Sequence, residues 1–289
     1  MTRRERLLEK IRETGQDPKR SLGQNFLISD NVIDRILSFA TGEKPSAMVE
    51  IGPGLGALTE GLVEYTKANK IPFEVIELDR AFAENWRASG LKVTEHDALQ
   101  IDWLGLGLPA GSRLVSNLPY QISSSLVVDR SIEPAGLTSM VLMFQKEVAR
   151  RIAARPGSED YGLLTVIAQN GWTIDTVCDA SGQDFFPPPR VTSRVLRFRR
   201  RPDAPAPDEF KDFLKFAKQA YAHRRKLMAS NLSGLNWSKP KAASEGKQGN
   251  APLERARLEA EIEGMGFTKT ARAEEFTAEQ LLELSRRLR

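Results

Sequence analysis

The sequence predicts a doubly wound α/β domain with a mainly parallel sheet, followed by a small all-α domain. Three observations carry this. Five short apolar runs between residues 47 and 144 alternate with helical periodicity. A glycine-rich turn follows the first of them, as in nucleotide-binding α/β units. The proline-rich segment Arg201-Pro-Asp-Ala-Pro-Ala-Pro-Asp208 then ends the alternation, and only helical patterns follow it.

Taken in order, residues 1–30 are basic and polar, and Asn31–Ala40 is expected as an amphipathic helix with Val32, Ile33, Ile36 and Leu37 on one face. Ala47–Ile51 reads as the first strand and Ala57–Ala68 as its helix. Phe73–Leu78 is a second strand with a helix over Arg80–Ala88, and Leu91–Glu95 a third strand. Arg113–Ser116 is a fourth strand, with a helix over Ser123–Arg130, and Ser139–Phe144 a fifth, with a helix over Glu147–Ala154. Runs 171–178 and 191–199 are expected to add antiparallel strands at the edge of the sheet. Helices are expected over 209–233, 253–265 and 277–288, with a polar loop from Ser238 to Asn250. The domain boundaries implied are 1–200 and 201–289.

Composition narrows the function classes. A chain of 289 residues can bury a sizeable core. Its net charge of +4 permits an anionic partner without requiring one. The single cysteine, Cys178, excludes an internal disulfide, fits a reducing compartment, and stands in an alternating run where packing is its expected role. With two histidines far apart, His96 and His223, no metal site is expected. No run approaches a membrane span and no apolar leader follows Met1, so a cytoplasmic protein is expected.

The candidate site begins at Glu50-Ile-Gly52-Pro-Gly54-Leu-Gly56, a turn at the carboxyl end of the first strand, where glycine allows sharp turning and close ligand approach. Glu77 closes the second strand, where a carboxylate can accept from ribose hydroxyls. Asp97 follows the third, where one can accept from an adenine amine. Nicotinamide enzymes share much of this pattern, although their third glycine comes one residue later.

The loop Asn117-Leu118-Pro119-Tyr120 discriminates between the two. It directly follows the fourth strand, and the first and fourth strands flank the switch point of such a sheet. An exocyclic adenine amine carries two N–H donors and a delocalised lone pair. Two acceptors, the Asn117 side-chain oxygen and the Leu118 carbonyl, can hold it nearer tetrahedral geometry. Pro119 stiffens the loop and Tyr120 offers a stacking face. Alignment of this kind lowers a barrier by roughly 7–11 kcal/mol at most.

From Lys19 to Arg200, and more weakly beyond, the chain resembles the ribosomal RNA small-subunit adenine N6,N6-dimethyltransferase family. The matches are Leu22-Gly-Gln-Asn-Phe-Leu27, Glu50–Thr59, Val75-Ile-Glu-Leu-Asp-Arg80, Asp97-Ala98, Asn117–Tyr120, Gln145-Lys-Glu-Val148 and Phe185-Phe-Pro-Pro-Pro-Arg-Val191. The resemblance implies a Rossmann-like methyltransferase domain using S-adenosyl-L-methionine, with a C-terminal helical domain contacting RNA. It implies that Gln24, Asn25 and Leu27 close over the methionine end of the cofactor, that Gly52 and Gly54 pass beneath it, that Glu77 holds the ribose, and that Asp97 and Ala98 hold its adenine. Asn117 and Leu118 would hold the target amine, with Tyr120 and Phe185 sandwiching the target base. Phe185 rests on the resemblance alone, since by itself it reads as a core residue before a proline turn.

The implied reaction is N6-dimethylation of two adjacent adenosines in the 3′-terminal hairpin of 16S rRNA during small-subunit biogenesis, by a monomer acting on an immature subunit. Thr192 stands where the family often has aspartate, and Leu227-Met228 where a threonine-leucine pair is usual, which bears on substrate preference more than on chemistry. Phosphate contacts are expected among Arg3-Arg4, Lys19-Arg20, Arg150-Arg151, Arg197–Arg201 and His223–Lys226. Three alternatives remain open: a 23S rRNA adenine methyltransferase of the antibiotic-resistance type, a non-catalytic ribosome assembly factor, and a nicotinamide oxidoreductase.

Overall fold

The computed structural model describes residues 5–7, 9–10, 24–237 and 253–289. The clusters Arg3-Arg4 and Lys19-Arg20, the start of the Leu22–Leu27 motif, and the stretch Ser238–Asn250 lie outside the described residues. The chain divides into two compact units, Met1–Arg150 with Trp172–Pro202, and Arg151–Gly171 with Asp203–Arg289.

The first unit is built on strands β1 (Phe26–Leu27), β2 (Met48–Ile51), β3 (Phe73–Glu77), β4 (Lys92–Glu95), β5 (Ser112–Asn117), β6 (Leu137–Gln145), β7 (Trp172–Ala180), β8 (Phe185–Phe186) and β9 (Ser193–Arg200). Seven of these form one sheet in the order β4-β3-β2-β5-β6-β9-β7, while β1 and β8 pair separately. The five strands β2 to β6 run parallel. All four residues of β2 are buried, as are most residues of β5 and β6. This is the near-continuous burial expected where helices cover both faces of a parallel sheet. The helices are α1 (Asp30–Thr41), α2 (Thr59–Asn69), α3 (Arg80–Ala88), α4 (Tyr120–Ile132) and α5 (Lys146–Ile152). Helix α1 buries Val32, Ile33, Ile36 and Ala40, a one-sided stripe at helical spacing. Helix α3 starts where the Asp79 side chain accepts from the Ala81 amide.

The two antiparallel strands are present, but only β7 lies at the edge. β9 is paired on both sides, its Phe198 opposite Met140 of β6 and Ile174 of β7. Its alternation explains this: Val195, Leu196 and Phe198 are fully buried, so a second neighbour is needed to cover the strand. Cross-strand Arg199–Asp175 at 2.9 Å and Arg194–Asp179 at 2.6 and 3.0 Å set the register on its solvent side. Cys178 is half-buried against the core, and burial raises its thiol pKa, which suits packing rather than nucleophilic chemistry.

The second unit holds α6 (Leu163–Gly171), α7 (Pro207–Ala220), α8 (Met228–Leu232), α9 (Arg255–Gly264) and α10 (Ala278–Arg287). Pro207 sits in the first turn of α7, where a missing amide costs nothing, with Asp208 and Glu209 beside the positive helix end. Phe210, Phe213, Phe216 and Ala220 from that helix are fully buried with Leu258, Ile262, Phe276, Leu281 and Leu284. A capping box of Thr277 and Gln280 starts α10.

The helix expected over 209–233 is broken. Residues 221–227, which include His223–Lys226, form turns between α7 and α8. The cause is the buried Asn231, whose amide donates to the carbonyls of Ala220 at 2.8 Å and His223 at 3.1 Å, replacing the helical bonds that a continuous helix would use. Helix α6 had no counterpart in the sequence reading, because it passes into β7 without an intervening turn signal.

Candidate active site

The sheet order changes direction between β2 and β5, and the loops leaving the carboxyl ends of these strands border one crevice. The Ser116 hydroxyl donates to the Ile51 carbonyl at 2.6 Å and locks the two loop bases together. A Cβ on Gly52 would lie 3.9 Å from Pro119 Cδ, so the two loops approach to van der Waals contact.

The glycine turn has Gly52, Gly54 and Gly56 at φ of 64°, 50° and 95°. At Gly56 a Cβ would come within 2.6 Å of the Trp86 ring, and at Gly54 within 3.1 Å of the Phe26 ring. Glycine is therefore required by both backbone and space. The Trp86 indole N–H donates to the Gly54 carbonyl at 2.9 Å and holds the turn down.

Glu77, at the end of β3, is buried. Its Oε1 accepts from the Asp79 amide at 2.8 Å and its Oε2 from the Gly54 amide at 3.3 Å. Burial raises its pKa, and these backbone donors work against that rise. Asp97 accepts from the Leu99 amide at 2.9 Å and the Gln100 side chain at 3.3 Å, which fixes its orientation after β4. The neighbouring Ala98 is buried, and its carbonyl accepts from the Trp103 indole at 2.9 Å.

Gly52, Gly54, Glu77, Asp97 and Ala98 line a single crevice, and so do Gln24, Asn25 and Leu27. The Gln24 amide donates to Asp79 at 3.4 Å, which ties the start of β1 to the end of β3. Phe26 meets Phe82 edge to face at 5.9 Å beneath the glycine turn.

One lining residue had no role in the sequence reading. Glu50 is 2% exposed, and its Oε2 has no hydrogen-bond partner among the described residues. Burial lifts its pKa to about 8; the Thr59 hydroxyl offsets part of this and the nearby Glu77 adds to it, although no hydrogen bond joins Glu50 to Thr59. An orphaned buried carboxylate in a crevice is a ready partner for a cationic ligand group. The signal was present in the sequence, as the only charge inside the apolar run Ala47–Ile51. Leu78, 55% exposed between Glu77 and Asp79, was also missed and supplies an apolar rim to the same crevice.

Asn117 is the last residue of β5, paired with Met143 of β6. Its side-chain Nδ2 donates to the Asn25 carbonyl at 3.2 Å. That leaves Oδ1 as an acceptor at the crevice. Leu118 is buried, and its carbonyl accepts no backbone hydrogen bond among the described residues. Pro119 caps α4, which begins at Tyr120, three residues earlier than the sequence suggested. Tyr120 is half-buried, its hydroxyl 2.9 Å from Ser193 Oγ, and burial raises its pKa.

Phe185 is placed differently. It is 2% exposed, pairs with Leu27 across the small sheet, and does not line the crevice. Here it is a packing residue behind β1 rather than an open stacking face.

The other motifs are structural or peripheral. The Lys146 amide donates to the Thr192 carbonyl at 2.8 Å, and its ammonium meets Asp179 at 2.8 Å. That ammonium and Arg194 hold the Asp179 carboxyl down at about 2. Within Arg197–Arg201, Arg197 pairs with Glu43 at 3.2 Å, Arg199 with Asp175, and Arg200 lies over the Trp172 ring and donates to the Ser131 carbonyl at 2.7 Å. Arg224 pairs with Glu274 at 2.8 Å, while Arg225 and Lys226 are exposed. Among the described residues no cluster of three His, Cys, Asp or Glu side chains could hold a metal ion, and no helix is long and apolar enough to cross a membrane.

Sheet and crevice together define a Rossmann-like nucleotide-cofactor fold of the kind found in methyltransferases. Two solved structures share it over most of the chain. A dimethyladenosine transferase from Plasmodium falciparum superposes with a TM-score of 0.69 at 22% identity, covering 90% of this chain and 95% of that one. The 23S rRNA methyltransferase ErmE does so with a TM-score of 0.61 at 24% identity, covering 91% and 99%. In sequence, residues 15–259 match the ribosomal RNA adenine dimethylase family. The "Ribosomal RNA small subunit methyltransferase A" of Bdellovibrio bacteriovorus is 47% identical over 97% of this chain and 96% of its own length. The chain belongs to the ribosomal RNA adenine dimethylase family.

Proposed function

We propose that this protein transfers methyl groups from S-adenosyl-L-methionine to the N6 amines of two adjacent adenosines in the 3′-terminal hairpin of 16S rRNA. The substrate is an immature small ribosomal subunit in the cytoplasm, and the enzyme acts as a monomer. The observation that carries the reading is the Asn117–Asn25 hydrogen bond, which leaves the Asn117 oxygen as an acceptor at the crevice it lines with Leu118, whose carbonyl accepts no backbone hydrogen bond among the described residues. The family and the name of the Bdellovibrio relative support the choice of RNA. The likeness to ErmE extends to the fold alone and does not favour large-subunit RNA.

The cofactor, when bound, supplies an electrophilic methyl on a sulfonium. The residues present fit it. Glu50 offers its orphaned carboxylate to a cationic group, Glu77 to ribose hydroxyls, and Asp97 with Ala98 the edge for the adenine. Gln24, Asn25 and Leu27 wall the methionine end, and Gly52 and Gly54 allow close approach beneath it.

Asn117 Oδ1 and the Leu118 carbonyl accept the two N–H groups of the target amine, which turns its lone pair out of conjugation and toward the methyl. Tyr120 gives the flipped base a face to stack on, offsetting the cost of leaving its helix. Phe185 contributes by packing β8 against β1 and so holding Asn25 and Leu27 in place. No residue need remove a proton before attack, because the amine loses one to solvent once it carries the positive charge. RNA phosphates meet the exposed Arg225 and Lys226 of the helical unit.

The test is methyl transfer from labelled S-adenosyl-L-methionine to unmethylated small-subunit particles, with large-subunit RNA in parallel and mass mapping of the product. Dimethyladenosine confined to the 3′ hairpin is the expected result. Label only in large-subunit RNA, or cofactor binding without transfer to either, would overturn the proposal.

A further inference from the structure

The small sheet buries three of its four side chains and leaves Phe186 exposed. In an antiparallel pair, residues opposite one another point to the same side and neighbours along a strand to opposite sides. Leu27 and Phe185 are one such pair, and both are buried in the core. Phe26 and Phe186 are the other. Phe26 lines the crevice, and its cross-strand partner Phe186, on the same side of the ribbon, is 38% exposed.

The loop that follows carries a second exposed apolar side chain, Val191 at 42%, and the exposed Arg190, which makes no ion pair among the described residues. Both ends of the loop are tied to the site. At one end the Ile28 amide donates to the Asp184 carbonyl at 2.8 Å, and at the other Ser193 meets the Tyr120 hydroxyl. Three consecutive prolines, Pro187 to Pro189, stiffen what lies between, and the Pro189 carbonyl is so close to Gly182 that a Cβ there would come within 2.9 Å. The segment is therefore preorganised, and binding to it loses little conformational entropy.

We propose that Phe186 and Arg190 form a ledge for one unpaired nucleotide flanking the target adenosine, the base stacking on Phe186 and its phosphate meeting Arg190. An exposed aromatic face and, four residues on, a guanidinium without an ion pair among the described residues match the two parts of a single-stranded nucleotide, and the strand paired with Phe186 carries Phe26, which lines the crevice. This inference rests on the RNA-methylation reading above. It concerns how the RNA strand is held, and makes Phe186 a positioning residue rather than a catalytic one.

The experiment measures KM for unmethylated small-subunit particles, kcat, and the dissociation constant for S-adenosyl-L-methionine in wild type, F186A, F186W and R190A, with L104A as a control at an exposed apolar residue outside the crevice. F186A should raise KM by about 5- to 100-fold, the range for losing one base stack, while cofactor affinity stays within about twofold. F186W should restore KM. R190A should reduce the slope of log KM against log salt by about one phosphate contact. An F186A enzyme with wild-type KM, or an F186W enzyme that fails to recover, overturns the ledge while leaving the methylation reading intact. A wild-type protein that binds cofactor but methylates no particle overturns both.

Discussion

The Asn117 side-chain amide donates to the Asn25 backbone carbonyl at 3.2 Å, and this bond joins the loop after β5 to the segment that leads into β1. It fixes which end of the carboxamide faces the crevice. Asn117→Ala removes the acceptor and should lower kcat by at least about a hundredfold, a loss of roughly 2.7 kcal/mol or more in transition-state stabilisation. Cofactor affinity should stay nearly unchanged. Asn117→Asp is the sharper test, because its second oxygen would face the Asn25 carbonyl without a proton to share. It should be as inactive as the alanine variant. Single-turnover methyl transfer with isothermal titration of cofactor separates the two quantities, and an active Asn117→Ala enzyme would contradict the mechanism.

Glu50 makes cofactor binding pH-dependent. Burial holds its pKa near 8 in the cofactor-free protein, so at neutral pH it is mostly protonated. A cationic ligand group binds the ionised form, so binding must release that proton. Affinity should therefore rise with pH by up to tenfold per unit until about pH 8 and then level off. Glu50→Gln should bind more weakly and lose that slope.

The same shift has the opposite sign for stability. The unfolded chain ionises Glu50 above its ordinary value near 4.5, while the folded chain keeps the proton up to about 8. Stability of the cofactor-free protein is thus eroded as pH rises between those two values, by up to about 5 kcal/mol for a fully buried group. Glu50→Gln should unfold at higher denaturant than wild type at pH 8, and the two should converge near pH 4.5. Equilibrium denaturation at the two pH values checks this, and identical midpoints at pH 8 would show that Glu50 is ionised and paired.

Much of this site was legible because its residues lie at the ends of strands. Glu77, Asp97 and Asn117 each close or follow a parallel strand, and strand order alone brings such positions together at one edge of the sheet. What escaped the sequence depends on side-chain direction over very short elements. Phe185 and Phe186 are adjacent and identical in type, and only the two-residue pairing with β1 decides which is buried. The break after Ala220 escaped for a similar reason. Local periodicity favours one helix there, and the tertiary bonds of a single buried asparagine override it. Glu50 was visible as a misplaced charge, but its meaning depended on knowing that no donor reaches it.

Tyr120 joins ring and hydroxyl in one residue, and substitutions separate their contributions. The hydroxyl serves the protein through Ser193, while the ring faces the crevice. Tyr120→Phe should keep most of the activity, losing about 1 kcal/mol of stability with the hydrogen bond. Tyr120→Ala should slow transfer by about 10- to 100-fold, in line with loss of one stacking face. Steady-state kinetics with thermal unfolding distinguishes these, and equal loss in both variants would shift the role from ring to hydroxyl.

Not every basic cluster is available to RNA, and the structure ranks them. Arg197, Arg199 and Arg200 are committed to Glu43, Asp175 and Trp172, so reversing their charges would disturb packing before any RNA contact. Arg224 is half-committed to Glu274. Arg225 and Lys226 are exposed in the turn between α7 and α8 and carry no such partner among the described residues. Reversal of Arg225 and Lys226 together should therefore leave the unfolding temperature unchanged and weaken binding to small-subunit particles. It should also flatten the log–log salt dependence by about one unit per lost phosphate contact. Reversal of Arg199 should instead lower stability, because it places a second negative charge beside Asp175 on the edge strand. Filter binding across a salt series, with thermal unfolding of each variant, tests both statements. Wild-type salt dependence in the Arg225–Lys226 double variant would move the phosphate contacts away from this turn.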